Sequence, residues 1–310
     1  MTYKEMNFLS AVVYINNDEK GIMPFLIQLI ETLDGNFEKY EIICVNDASS
    51  DSSASIVREI AKSKGDGIVS LINMSYPQGL EPSMNAGVDL AIGDFVFEFD
   101  YISMDYEHDL IMKVYQQSVN GSDIVAASSK QNRISSKIFY ALFNKNANLQ
   151  YDLQTETFRI LSRRAINRIF SMSNTIPYRK ALYANCGLKM ETVFYNPNHP
   201  MVGKKPKIQD QFETAFDALI LFTNLAYKIT ILLAGAMMIA TLAGGIYTVV
   251  IYFLGIPVAG YTTTMLVITA AFFGVFGILA MVIKYLSVIV RLIFNEQRYI
   301  VESVEKISKG

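Results

Sequence analysis

Residues 40–51 read Tyr40-Glu41-Ile42-Ile43-Cys44-Val45-Asn46-Asp47-Ala48-Ser49-Ser50-Asp51. A short apolar run closes on a cluster of Asn, Asp and Ser, the side chains that end strands and cap helices. The reading is a strand over Tyr40 to Val45, followed at once by a helix that Ser49, Ser50 or Asp51 caps. Working outward, the same unit recurs. Strands are expected at Phe8 to Ile15, Ile68 to Ile72, Phe95 to Phe99 and Asp123 to Ala127. Helical patterns lie between them at Lys20 to Leu33, Glu81 to Ile92 and Tyr106 to Val119. Strand–helix alternation at this spacing predicts an α/β fold, a mostly parallel sheet with helices on both faces. Ligands of such sheets sit beyond the carboxyl ends of the strands. The loops to inspect are therefore Asn16 to Glu19, Asn46 to Asp51 and Asp100 to Asp105. Any one of them is ordinary turn and cap chemistry; three polar loops converging on one edge mark a candidate binding site.

The charges are unevenly spread. The chain has 27 basic and 29 acidic residues, and none of them falls between Ile229 and Ile283. The near-neutral balance offers no basic field for nucleic acid. Ile229 to Phe253 would run about 37 Å as a helix, against a hydrocarbon core of roughly 30 Å. Leu254-Gly255-Ile256-Pro257-Val258-Ala259-Gly260 is a breaker-rich turn, and Thr264 to Ile283 reads as a second pass. Lys204, Lys205, Lys207 and Lys228 precede this hairpin, Lys284, Arg291 and Arg298 follow it, and the turn has no Lys or Arg. Both termini are thus expected in the cytoplasm. Before the hairpin, Phe212, Phe216, Leu219 and Ile220 share one helical face with Asp210, Glu213 and Asp217 elsewhere. That pattern fits an interfacial amphipathic helix, with a core helix of the soluble part as the alternative. The expected layout is a soluble domain over 1–206, the interfacial helix over 207–228, two membrane helices within 229–292 and a cytoplasmic tail over 293–310.

Two cysteines, Cys44 and Cys186, exclude a disulfide scaffold. No HExxH, CxxC or GxSxG string appears, which argues against zinc and serine hydrolases. Several strings are familiar in their order. Tyr14-Ile15-Asn16-Asn17-Asp18-Glu19, Val45-Asn46-Asp47-Ala48-Ser49-Ser50-Asp51, Asn85 to Asp94, Phe158-Arg159-Ile160-Leu161 and Arg298 to Glu302 run the length of the chain. Together with the terminal hairpin they resemble the family 2 glycosyltransferases with a nucleotide-sugar-binding, A-type fold. The likeness is to the membrane-anchored branch of dolichol-phosphate-mannose synthase and bacterial polyprenyl-phosphate glycosyltransferases.

The resemblance implies a nucleotide-sugar donor, a polyprenyl phosphate acceptor, an inner-membrane location and self-association through the membrane helices. It implies that Asp47 recognises the base, with Asn16, Asn17 and Glu19 lining the same pocket. It also assigns substrate contacts to Lys130, Arg133, Arg159, Lys204 and Lys205. Asp100 falls on the first Asp of an Asp-x-Asp motif that holds Mg²⁺ or Mn²⁺ against the donor diphosphate. Three positions depart from the pattern. Ile102 replaces the second motif Asp, leaving Asp105 as the next carboxylate. Thr157, beside Glu156, replaces the acid that faces the acceptor, and Lys204 and Lys205 stand where arginines clamp the diphosphate. Two readings follow: a working transferase in which Glu156, Thr157 and Asp105 share the catalytic role, or a silent relative that binds or assembles in a membrane complex.

Overall fold

The computed structural model describes residues 4–197 apart from 65–66, 108, 132–133, 148 and 173–177, together with 299–307 and isolated positions between 229 and 289. The chain forms two compact units. One comprises Met1–Lys145, Leu149–Ala215 and Asn295–Gly310; the other comprises Asn146–Asn148 and Phe216–Phe294.

In chain order the first unit contains β1 (Leu9–Ile15), α1 (Glu19–Asn36), β2 (Tyr40–Asn46), α2 (Ser53–Ser63), β3 (Ile68–Met74), α3 (Leu80–Leu90), β4 (Phe95–Phe99) and α4 (Asp109–Val119). There follow β5 (Ile124–Ser129), α5 (Ile134–Asn146), β6 (Phe158–Ser162), α6 (Arg163–Met172), α7 (Arg179–Ala184), β7 (Met190–Tyr195) and β8 (Val301–Ile307). The strands form one sheet in the order β7-β5-β6-β4-β1-β2-β3-β8. β1 pairs in parallel with β2 and β4, β2 with β3, and β5 with β7. Only β6 and β8 run antiparallel to their neighbours among the described strands.

The expected strands and helices of residues 8–127 are all present, and the sheet is covered on both faces. Leu9, Ala11, Val13 and Ile15 of β1 enter a core with Ile22, Phe25 and Leu29 of α1 and Val57 of α2. Val12, Val45 and Val96 face the opposite side, against Met84 and Val88 of α3 and Ile166 of α6. Double coverage explains why β2 is buried along its whole length and reads as an apolar run rather than an alternation. Its one carboxylate, Glu41, is satisfied locally by hydrogen bonds that it accepts from Ser10 Oγ at 2.5 Å and Ile92 N at 2.9 Å. The cap position of α2 is Ser52, one residue beyond the expected Ser49, Ser50 or Asp51, and it makes no side-chain cap bond; Asp51 Oδ1 instead accepts from Ser53 N, the first helical amide, at 2.9 Å.

The C-terminal segment corrects the expected free tail. Residues 301–307 form β8, an edge strand of the same sheet as β1, antiparallel to β3. Arg58 donates from Nε and Nη2 to Glu305 at 2.8 and 2.7 Å, and Asn73 Nδ2 reaches Ser303 Oγ at 3.0 Å. The Arg58–Glu305 pair is over one-third exposed on both sides. Such a pair contributes at most about 1 kcal/mol, so the backbone ladder holds the strand.

In the second unit, the described residues between 229 and 289 are helical. A Cβ at Gly274 would lie 2.5 Å from Met237 Cγ, and one at Gly277 would lie 3.6 Å from Leu233 Cδ2. Glycine thus lets two helical stretches approach closely. Ile268, Phe272, Val275, Leu279, Val282, Leu286 and Ile289 are all exposed. The segments 207–228 and 244–263, with the interfacial helix and the turn, lie outside the described residues, as does much of both expected spans. Among described residues no helix is long and apolar enough to cross a membrane.

The α3–sheet contact supplies a test. A Cβ at Gly87 would collide with Val12 Cγ1 and lie 2.8 Å from Val45 Cγ2, whereas one at Gly35 in α1 meets nothing within 4 Å. Gly87→Ala is expected to cost about 1–3 kcal/mol by overpacking. Gly35→Ala should be stabilising by about 0.5–1 kcal/mol. Denaturant unfolding followed by circular dichroism separates the two; equal effects would contradict the packing.

Candidate functional site

The carboxyl ends of β1 and β2 are stitched together. Asn17 and Ala48 adopt left-handed φ values of 56° and 48°. Side chains of this type rarely sit there unless neighbours hold them. Here Asn17 N donates to Ser49 Oγ at 3.0 Å, and Ser50 N donates back to Asn17 Oδ1 at 2.9 Å. Asp18 N donates to Ser53 Oγ at 2.9 Å, and Glu19 N to Asp51 Oδ2 at 3.1 Å. Asn16 Nδ2 donates to the carbonyl of Asp47 at 2.9 Å. Asn16, Asn17, Glu19 and Asp47 therefore lie together at the joined ends of β1 and β2.

The Asp47 carboxylate itself is buried and engaged. It accepts from Gln78 N at 2.7 Å, Gly79 N at 2.9 Å and the Tyr14 hydroxyl at 2.8 Å. Burial and the adjacent Asp47 push the Tyr14 phenol far above its ordinary pKa, so it stays a donor. In this arrangement Asp47 anchors the turn at Gln78 and Gly79, which leads into α3.

At the end of β4 lies a second, fully buried cluster. Glu98 stands opposite Arg159 in the β4–β6 register. Arg159 Nη1 donates to Glu98 Oε2 at 2.6 Å, its Nε to Glu156 Oε2 at 2.7 Å, and its Nη2 to Asp100 Oδ2. Arg179, at the start of α7, gives Nη2 to Asp100 Oδ1 at 2.8 Å and Nε to Glu81 Oε2 at 2.8 Å, and its Nη1 lies 2.9 Å from Glu98 Oε2. Tyr183 OH completes Glu98 with a 2.7 Å bond to Oε1. Burial alone would raise the pKa of Asp100, but Arg159 and Arg179 outweigh it and hold the carboxyl well below the usual range. Lys180, next along α7, is part-buried; burial works against its charge, yet Tyr140, Glu156 and Asp100 keep the ammonium protonated.

Of the remaining expected residues, Thr157 and Asp105 meet through Tyr195. Tyr195 OH donates to Asp105 Oδ1 at 2.7 Å, and so must accept from Thr157 Oγ1 at 2.6 Å. Lys130 is placed at the end of β5 by its backbone, its N donating to the Tyr195 carbonyl at 3.0 Å. Arg133, Lys204 and Lys205 lie outside the described residues.

The donor set at Asp100 does not fit a divalent cation. Both carboxylate oxygens face guanidinium groups. The position of the missing second motif carboxylate, Ile102, is 2% exposed and packs with Met104 and Tyr106 in the apolar core. Among the described residues no three His, Cys, Asp or Glu side chains form a group that could hold a metal. Glu156 is likewise paired with Arg159 and not presented to a ligand.

The cluster contains residues the sequence reading passed over: Glu81, Glu98, Arg179 and Lys180. Glu98 carried a usable signal, because a carboxylate inside Phe95-Val96-Phe97-Glu98-Phe99 must find a buried cation. Arg179 and Lys180 sit in a short helix some eighty residues after β4, and only the fold brings them to it.

Comparison with known proteins gives this geometry a context. Residues 10–170 match glycosyl transferase family 2. An uncharacterized glycosyltransferase of Synechocystis sp. is 25% identical over 276 residues, covering 84% of this chain and 84% of its own. The prophage bactoprenol glucosyl transferase homolog of Escherichia coli is 28% identical over 194 residues, covering 60% of this chain and 62% of its own. Among solved structures, the mannosyltransferase PcManGT of Pyrobaculum calidifontis, in complex with GDP-Man and Mn²⁺, is 16% identical, with a TM-score of 0.47 over 96% of this chain and 89% of that one.

Two outcomes follow from the buried charges. Glu98→Ala leaves two guanidiniums buried with less compensation and should cost about 3–5 kcal/mol, read from the urea midpoint. Asp100 titrates lower in the native state than its unfolded value of 3.8. Its contribution to stability is therefore complete above about pH 4 and is lost as pH falls through the lowered native value. Asp100→Asn should flatten the acid limb of the stability–pH curve and leave its shape between pH 6 and 8 unchanged; an unaltered acid limb would contradict the pairing.

Proposed function

The chain belongs to glycosyl transferase family 2, and on that premise we propose that it moves a sugar from a nucleotide-sugar donor to a polyprenyl phosphate at the cytoplasmic face of a membrane. The observation that carries the reading is the shared edge. Asn16, Asn17, Asp47 and Asp100 all lie at the carboxyl ends of neighbouring strands β1, β2 and β4, where nucleotides bind in sheets of this type. The acceptor class comes from the bactoprenol glucosyl transferase homolog among its relatives.

The chemistry asks little of a base. The nucleophile is a phosphate oxygen, and a phosphate monoester with a second pKa of about 6 is already largely deprotonated at neutral pH. As that oxygen bonds to the anomeric carbon, the bond from carbon to the donor's diphosphate breaks and the nucleoside diphosphate leaves. Replacement of a carboxylate by Thr157 is tolerable for such an acceptor. Thr157, Tyr195 and Asp105 then serve to orient it, linked by their hydrogen bonds.

Two features support membrane attachment, and a third limits the number of passes. One is the uncharged stretch from Ile229 to Ile283. Another is the exposed apolar series Ile268, Phe272, Val275, Leu279, Val282, Leu286 and Ile289, spaced alternately by four and three residues, as on one face of a helix. The third is β8. Because 301–307 pair with β3, the chain leaves and rejoins the same sheet, and any path through a bilayer between residues 216 and 294 crosses it an even number of times. Two passes satisfy this.

Two measurements check the proposal. With radiolabelled donors drawn from UDP- and GDP-sugars, label should pass into the lipid phase only when a polyprenyl phosphate is supplied. Nucleotide binding without transfer from any donor would assign a binding role instead. For topology, Gly260→Cys should react with an impermeant thiol reagent from outside the cell and Ser308→Cys should not; the reverse pattern would reject the orientation.

A further inference from the structure

The two motif positions that the resemblance assigns to a metal, Asp100 and Ile102, are both closed in this fold. Asp100 is held through both oxygens by Arg159 and Arg179, whose side chains are 1% exposed and out of a ligand's reach. The neighbouring motif position, Ile102, belongs to the core. The remaining cation of the cluster is Lys180, which is part-buried and forms no salt bridge with any described carboxylate. Its ammonium lies in the field of Asp100 and Glu156 and stays charged. An ammonium serves phosphate as a compact point charge and needs no fixed fork geometry.

We propose that this chain engages its nucleoside diphosphate without a divalent cation, Lys180 presenting the positive charge to the phosphates and Asp100 acting as a positioning residue for Arg159 and Arg179. The inference rests on the donor reading given above. The network supports it in a further way. Four carboxylates, Glu81, Glu98, Asp100 and Glu156, surround two arginines. Removing Lys180 therefore takes the region from one to two uncompensated negative charges, whose field an incoming diphosphate would feel.

The test is calorimetric titration of the full chain in nanodiscs with UDP and with GDP, in EDTA and in Mn²⁺. The nucleotide that binds should do so with affinities within about twofold in the two conditions, and Lys180→Met should weaken it about tenfold or more in EDTA. The parent nucleoside should bind Lys180→Met as it binds the unsubstituted chain, a readout that general unfolding would move. Lys180→Arg keeps the charge and should retain affinity in EDTA; loss there overturns the role given to Lys180. Asp100→Asn should weaken binding by the same factor in both media, with recovery in Asp100→Glu, whereas a loss confined to Mn²⁺ marks Asp100 as a metal ligand and overturns the inference. Affinity about tenfold tighter in Mn²⁺ than in EDTA for the unsubstituted chain also overturns it and leaves the donor reading standing. Failure of both nucleotides in both media overturns the donor reading, and the inference with it.

Discussion

The pairing of Glu98 with Arg159 across β4 and β6 is the constraint on which the site depends. Both side chains are fully buried, and taking an ion out of water costs several kcal/mol even after relaxation. Such a pair is tolerated only if its remaining donors and acceptors are also satisfied. That requirement recruits Asp100 and Glu156 to Arg159, then Arg179 to Asp100 and Glu98, then Glu81 to Arg179 and Tyr183 to Glu98. Each addition ties another element to the sheet: α3 through Glu81, α7 through Arg179 and Tyr183. The antiparallel placement of β6 follows the same logic, since it sets Arg159 beside Glu98 and leaves Thr157 next to Tyr195.

The second constraint links the loops at the carboxyl ends of β1 and β2 to the end of the chain. Asp47 holds Gln78 and Gly79 by their backbone amides. The Gln78 side chain donates to the Ile300 carbonyl at 2.6 Å and accepts from Ile300 N at 2.9 Å. Tyr299 OH donates to Asp89 of α3 at 2.6 Å. The residues that lead into β8 thus brace the same turn that closes over the β2 loop. A segment that follows the apolar stretch in sequence thus packs at the same edge of the sheet.

Much of this was readable in the sequence, for physical reasons. β1 to β5 and their helices announce themselves because doubly covered parallel strands are near-continuous apolar runs bounded by cap residues. The loops at Asn16, Asp47 and Asp100 were identified for the same reason. The roles inside those loops were harder to read. Asp47 and Asp100 look like ligand-facing acids when only their neighbours in sequence are known; their partners, Gly79, Arg159 and Arg179, are set by tertiary contacts. Ile102 reads as a lost ligand, yet in the fold it belongs to the same buried apolar cluster as Phe99 and Met104. β8 escaped notice because Val301-Glu302-Ser303-Val304-Glu305-Lys306-Ile307 has no strict alternation, as suits a charged edge strand, and its partner lies more than two hundred residues earlier.

A double-mutant cycle on Glu98→Gln and Arg159→Met measures the pairing most directly. Residues in one buried ionic network should couple by about 2–3 kcal/mol in unfolding free energy. Coupling within about 0.5 kcal/mol of zero, as for independent sites, would show that the two groups do not depend on one another and that the site is not built around them.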